Sequence, residues 1–205
     1  MSSPFYPLLQ FPIQGDLLEL RQQLLDLFCQ VAYREGDFLL SSGQRSSYYI
    51  NGKQVTLHPQ GGVAVGRILL SLLSSSVEAV AGLTLGADPL VTAVSVVAAY
   101  QQRSITPLIV RKASKEHGTQ AFIEGPALAA GTEVVVLEDV VTTGKSALIA
   151  VERLQAAGYG VRQILCLVDR QQGGKELYSH HDLHFQSVFT LDDVRSRFHE
   201  LSISG

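Results

Sequence analysis

An α/β fold of three layers with a mainly parallel central sheet is what this sequence predicts. Short β-branched runs alternate with stretches whose apolar residues recur at helical spacing. Those runs, such as VVVL at 134–137, carry no polar alternation, which suits strands covered on both faces. Polar and glycine-containing segments follow the runs directly, and in open parallel sheets ligands bind outside the carboxyl ends of the strands. With 205 residues, 46% hydrophobic and 17% charged, the chain can bury one substantial core, so a single domain across 1–205 with a small appendage is expected.

Several function classes are disfavoured at once. A formal net charge of -3 and the lack of any basic run resembling a tail give no overall bias toward nucleic acid or an acidic membrane surface. Cys29 and Cys166 lie in apolar context without CxxC spacing, which predicts buried free thiols in a reducing compartment and no structural zinc. The opening MSSPFYPLLQFPIQGD has no positive n-region and is broken by prolines, unlike a signal or transit peptide, and no apolar run approaches a membrane span. A soluble cytoplasmic protein is expected.

Taken in order, Asp16 caps a predicted helix through about Glu35, with Leu17, Leu20, Leu24, Leu27, Phe28 and Val31 near one face and Gly36 ending it. Two extended pieces, 37–40 and 47–51, flank a Ser-Ser-Gly turn and form a hairpin-like flap. Tyr48, Tyr49 and Ile50 serve either packing or an apolar wall for a planar base. Lys53 reads as a surface lysine, with a site role as the alternative.

Residues 58–74 read as a helix opened by Pro59, with His58 as a turn residue. VEAVAGL is a strand, TLGAD a tight connection, and 90–101 the next helix. TPLIV is a buried strand that runs straight into RKASKEHG, where Arg111, Lys112, Lys115 and His117 crowd four basic side chains into seven residues. A solvated face is the usual meaning of such a run, but loops leaving a core strand's carboxyl end carry function. Residues 122–125 return the chain to the sheet, and Gly131 makes the next turn.

Residues 134–147, VVVLEDVVTTGKSA, hold the densest chemistry. Glu138 and Asp139 are expected to emerge together at the strand's end, and Thr142, Thr143, Gly144, Lys145 and Ser146 to form a turn into a helix with Leu148, Val151, Leu154 and Ala157 inward and Gly158 at its C-terminus. A helix N-terminus offers unpaired N–H groups to an anion. A Walker A loop is excluded, because Asp139 stands where its first glycine is required. Gly158 and Gly160 lack the third glycine of a dinucleotide fingerprint and follow a helix. Two acids beside an anion-binding turn match a ligand bearing both hydroxyls and a phosphate.

Residues 164–168 form a further strand ending in Asp169 and Arg170, whose guanidinium is suited to a planar carboxylate. A last strand, 184–190, leads to a helix capped by Asp192 or Asp193, and His180, His181 and His184 are surface residues without metal spacing.

The stretch LEDVVTTGKS resembles the phosphoribosyl pyrophosphate (PRPP) motif of the type I phosphoribosyltransferases. Three more segments resemble the orotate phosphoribosyltransferases in family order: RKASKEHG, VDRQQGG, and a hood pattern matched by Phe38, Leu40, Ser42, Gly43, Ser46, Tyr48 and Asn51. The resemblance implies a type I phosphoribosyltransferase-like fold with a hood drawn mainly from 1–58 and partly from 170–205. It implies transfer of a phosphoribosyl group from PRPP to orotate, with Mg2+ held through PRPP rather than by the protein.

By the same resemblance Glu138 and Asp139 hold the ribose, and the turn through Val140, Val141, Thr142, Thr143, Gly144, Lys145 and Ser146 binds the 5-phosphate. Arg111, Lys112, Lys115 and His117 meet pyrophosphate, while Thr142 and Arg170 bind orotate. Lys115, His117 and Asp139 are the implied catalytic residues, and the loop of one subunit completes the site of the other in a homodimer. Two departures stand out: many members carry lysine where this chain has Ser41 and Gly86. A phosphoribosyltransferase for another base, or a non-catalytic regulator on the same fold, are the alternatives.

Overall fold

The computed structural model describes residues 15–39, 43, 45–113 and 122–203. Helix α1 (Leu17–Val31) begins at Asp16, whose side chain accepts from the Leu18 N–H. It stops at Ala32, short of the expected Glu35, because Tyr33 is fully buried and opens strand β1 (Tyr33–Leu39) opposite Ile50 of β2 (Arg45–Ile50). Gly36 is therefore no helix stop. It lies where the β1–β2 register shifts between Glu35 and Phe38, with φ +154°. The predicted Leu40, Ser41 and Ser42 of this flap lie outside the described residues.

A short helix α2 (Lys53–Thr56), not anticipated from sequence, leads to α3 (Pro59–Ser71). His58 is its N-cap: Nδ1 accepts from the N–H groups of Gln60 and Gly61. Strand β3 (Ala79–Leu83) is followed by α4 (Asp88–Tyr100), which starts two residues earlier than expected. Strand β4 (Thr106–Val110) matches TPLIV, and β5 (Ile123–Glu124) returns antiparallel to it.

Strand β6 (Glu133–Val141) runs four residues past VVVL, so the acids lie within the strand and are buried rather than emerging from it. Val140 and Val141 pair with Val168 and Asp169 of β7 (Gly160–Asp169). Between them lies α5 (Lys145–Ala156), whose Ala147, Ala150, Val151 and Leu154 are buried and whose half-buried Leu148 packs on the same core; of the predicted inward residues only Ala157 is exposed. A second unanticipated helix, α6 (Gly174–Ser179), precedes β8 (His184–Thr190). The cap of α7 (Leu191–Ile203) is Thr190: its hydroxyl accepts from the Asp193 N–H while the Asp193 carboxylate accepts from the Thr190 N–H, a reciprocal capping box.

The six-stranded sheet has the order β5-β4-β3-β6-β7-β8 and is parallel except at β5. Side chains alternate across β6. Val135 and Leu137 join a core with Leu24, Phe28, Leu69 and Leu90 from α1, α3 and α4, whereas Val134 and Val136 join Leu154 of α5 and Tyr178 of α6. Helices thus cover both faces, and the parallel strands bring their carboxyl ends to one edge. Helix α7 returns to α1 and the β1–β2 pair, where Arg197 bonds Asp26 and Phe198 meets the Tyr33 ring edge-on.

Candidate active site

Strand β6, in the middle of the sheet, delivers Glu138 and Asp139 into a buried position. Burying charge is costly unless it is paired or neutralised. Asp139 is supported: its Oδ1 accepts from the Val140 N–H at 2.9 Å, and Lys53 Nζ stands 3.4 Å from Oδ2. The reading of Lys53 as a surface lysine is thereby corrected, since α2 aims it at the acidic pair.

Glu138 is less supported, and its Oε2 has no hydrogen-bond partner among the described residues. Burial, then the negative charge of Asp139, push the Glu138 carboxyl up to about 8. Both carboxylates converge on the loop after β3. A Cβ at Gly86 would lie 3.0 Å from Glu138 Oε1 and 3.0 Å from Asp139 Oδ1, and one at Gly52 would lie 3.1 Å from Asp139 Oδ2. Two glycines therefore leave room for the pair, and Lys53 supplies a cation beside it where Gly86 cannot. Asp88 turns away into its own helix start, accepting from the Thr84 hydroxyl at 2.8 Å.

The Glu138 shift has a measurable sign. Its folded value lies above the ordinary 4.5, so the folded chain keeps a proton that the unfolded chain releases. The associated stability is whole below the ordinary value and is lost as pH rises through about 8. Glu138→Gln is expected to melt like the parent in mild acid and above the parent in mild alkali, with the gap opening in between. A gap independent of pH would refute this.

Beyond β6 the turn follows the predicted order. Thr142 and Thr143 lead to Gly144, which is left-handed at φ +85° and precedes α5, while Lys145 and Ser146 are its exposed first residues. The first N–H groups of a helix have no intrahelical partner. The turn borders a half-open cavity of about 90 Å³ lined by Glu138, residues 140–147 and Tyr178.

Arg170 follows β7, and its N–H donates to the Val141 carbonyl at 2.9 Å. Its Nη1 donates to Thr142 Oγ1 at 3.3 Å and its Nε to Tyr48 Oη at 3.0 Å; no partner among the described residues takes Nη2. Tyr48 is buried, also accepts from Gln172 Nε2, and lies beneath the guanidiniums of both Arg170 and Arg195. The structure thus joins the two predicted base-binding residues, Thr142 and Arg170, and seats them against Tyr48 of the β1–β2 flap.

The cationic segment is only partly described. Arg111 pairs with Glu124 at 3.1 Å, and its N–H donates to the Phe122 carbonyl, which closes the feet of the loop. Lys112 is exposed, and Lys115 and His117 lie outside the described residues. Arg153 of α5 donates to the carbonyls of Arg111 and Lys112, and its guanidinium lies 4.1 Å from the Phe122 ring centroid. One arginine thereby ties both loop feet to the helix that starts after the 142–144 turn.

Sequence reasoning gave Lys53 a site role only as the alternative and did not assign Arg153 or Tyr178 to this region. Only the spacing of Tyr178, one helical turn after Gly174, offered a signal, and that spacing alone means packing.

Comparison with known proteins agrees with this geometry. No family model matches the chain. It is 65% identical over 191 residues to an orotate phosphoribosyltransferase of Nostoc sp., covering 93% of each chain. The orotate phosphoribosyltransferase of Mycobacterium tuberculosis crystallised with Fe(III) dicitrate superposes with a TM-score of 0.76 at 36% identity, covering 85% of this chain and 98% of that one. The same enzyme in complex with PRPP gives 0.71 at 33% identity with the same coverage. At 65% identity over 93% of each chain to that relative, and with its acidic pair, the 142–146 turn and Arg170 gathered at one sheet edge, the chain belongs to the orotate phosphoribosyltransferase family.

Proposed function

We propose that the chain transfers the phosphoribosyl group of PRPP to orotate, giving orotidine 5'-monophosphate and pyrophosphate in pyrimidine biosynthesis. The observation that carries this is Arg170, fixed by Thr142 and Tyr48 at the edge where β6 presents Glu138, Asp139 and the phosphate turn. The bond from the anomeric carbon to pyrophosphate breaks, and pyrophosphate leaves with the electron pair. A ring nitrogen of orotate bonds to the anomeric carbon and gives up its proton to water or to the departing pyrophosphate. Positive charge grows on the ribose meanwhile, so the protein's work is positioning and electrostatics.

In this reading Glu138 and Asp139 accept from the ribose hydroxyls. Residues 140–146 anchor the 5-phosphate through N–H and hydroxyl donors, and Arg170 with Thr142 orients orotate through its carboxylate. Arg111, Lys112, Lys115 and His117 neutralise the leaving group, and closure of their loop excludes water.

Magnesium characteristically takes one or two carboxylates plus substrate phosphates and keeps several waters. The acidic pair fits such a substrate-held ion, since Glu138 Oε2 is buried without a partner among the described residues. When bound, magnesium supplies further neutralisation of pyrophosphate.

The same reading makes 1–205 one catalytic domain with its hood over the base, acting in the cytoplasm as a homodimer with shared sites. No described helix is long and apolar enough to cross a membrane. Product formation should occur with orotate and magnesium, and not with uracil, hypoxanthine or excess chelator. Mixing inactive Lys115→Ala and Asp139→Asn proteins should restore part of the activity, because one hybrid site carries neither lesion. Turnover of uracil or hypoxanthine instead would favour another base, and PRPP binding without turnover would favour a regulator. No recovery on mixing would overturn the shared site.

A further inference from the structure

Tyr178 is fully buried beneath the phosphate turn, and the turn's glycine is shaped around it. A Cβ at Gly144 would lie 2.9 Å from Tyr178 Cζ and 3.0 Å from its hydroxyl oxygen. That hydroxyl has no hydrogen-bond partner among the described residues, and neither has Glu138 Oε2. Both residues line the half-open cavity of about 90 Å³ at the start of α5, well above the roughly 10–15 Å³ that one water needs and so roomy enough for a small oxyanion. Buried polar groups are nearly always satisfied, so an orphan hydroxyl beside a helix N-terminus points to a ligand that completes it.

We propose that the Tyr178 hydroxyl is an additional donor to the sugar phosphate held by the Thr142–Ser146 turn, making Tyr178 a binding residue outside the recognised motif. The proposal rests on the reading that this turn holds the 5-phosphate. Burial, then the charge of Glu138, raise the phenol well above its ordinary value, so the group remains a proton donor across the working range. A phenol donates one hydrogen bond, which a phosphate oxygen can take. Phenylalanine would keep the packing with Phe185, whose ring centroid is 5.0 Å away, and remove only the donor.

The test measures binding of ribose 5-phosphate and of pyrophosphate by calorimetry to the intact protein, Tyr178→Phe and Ser146→Ala, with melting temperatures of each. Tyr178→Phe should weaken ribose 5-phosphate by about ten- to a hundredfold, as expected for a bond to a charged group. Pyrophosphate binding should be unchanged, and the ligand-free protein should melt at the same temperature or higher because an unpaired buried hydroxyl is gone. In turnover the loss should fall on KM for PRPP rather than on kcat.

Unchanged ribose 5-phosphate binding in Tyr178→Phe, with a loss in Ser146→Ala, would overturn the role of Tyr178 and leave the turn's role standing. Unchanged binding in both would overturn the phosphate reading of the turn itself. Equal weakening of both ligands, or a lower melting temperature, would make Tyr178 a structural residue and overturn the proposal.

Discussion

Arg170→Gln should lower kcat/KM for orotate by roughly 30- to 3,000-fold while leaving the affinity for PRPP nearly intact. The guanidinium is fixed by two protein acceptors, Tyr48 Oη through Nε and Thr142 Oγ1 through Nη1. Its position is also set from the backbone, through the N–H bond to Val141. A planar carboxylate meeting the remaining N–H groups finds a preorganised fork.

Glutamine removes the charge and shortens the reach, leaving the ligand's carboxylate without its partner. Truncating one member of such a charge pair costs about 2–5 kcal/mol, and about 1.4 kcal/mol is tenfold. Steady-state kinetics with each substrate varied in turn would show the asymmetry. A comparable loss for both substrates would mean that Arg170 holds the flap together rather than the base.

Asp139→Asn should slow the chemical step in single-turnover experiments by roughly 100- to 1,000-fold, the scale seen when one preorganised electrostatic group is removed from a transition state. The replacement is nearly isosteric, so the Val140 N–H can keep an acceptor. What disappears is the negative charge, and the new amide would present a donor toward Lys53 Nζ.

A second consequence follows at Glu138. The Asp139 charge is the largest cause after burial that raises the Glu138 carboxyl, so its removal should bring that carboxyl down and shift the activity profile to lower pH. Near-normal single-turnover rates, or a profile that does not move, would remove Asp139 from the mechanism.

The local features were legible where a short pattern had one physical meaning. TPLIV and HFQSVFT are bounded as expected because short runs rich in apolar, aromatic or β-branched residues and flanked by turns have few other structures available. The end of α1 was misjudged because helical periodicity persists to Val31 and glycine is a strong stop signal. Tyr33 is instead drawn into the core beside Tyr48 and Phe198, and this long-range burial outweighs local propensity. Helices α2 and α6, at four and six residues, are too short to show a period.

The acids, the TTGKS turn, the RK pair and Arg170 were legible as candidates because their side-chain chemistry is intrinsic, although the acids lie within β6 and not after it. Their partners were not. Lys53 meets Asp139 across 86 positions of sequence, and Tyr48 meets Arg170 across 122.

The sequence by itself determined the alternating α/β order, the turn after β6, the place of Arg170 after β7 and the class of ligand these groups suit. These depend on residue type and on spacing within a few turns of chain. Only the tertiary structure decided that the acidic pair is buried inside β6, that Lys53 rather than residue 86 provides the nearby cation, and that Tyr178 lies beneath Gly144. Each of those outcomes depends on contacts between distant segments, where packing sets desolvation and distance, and with them the charge and hydrogen-bond state of every group in the site.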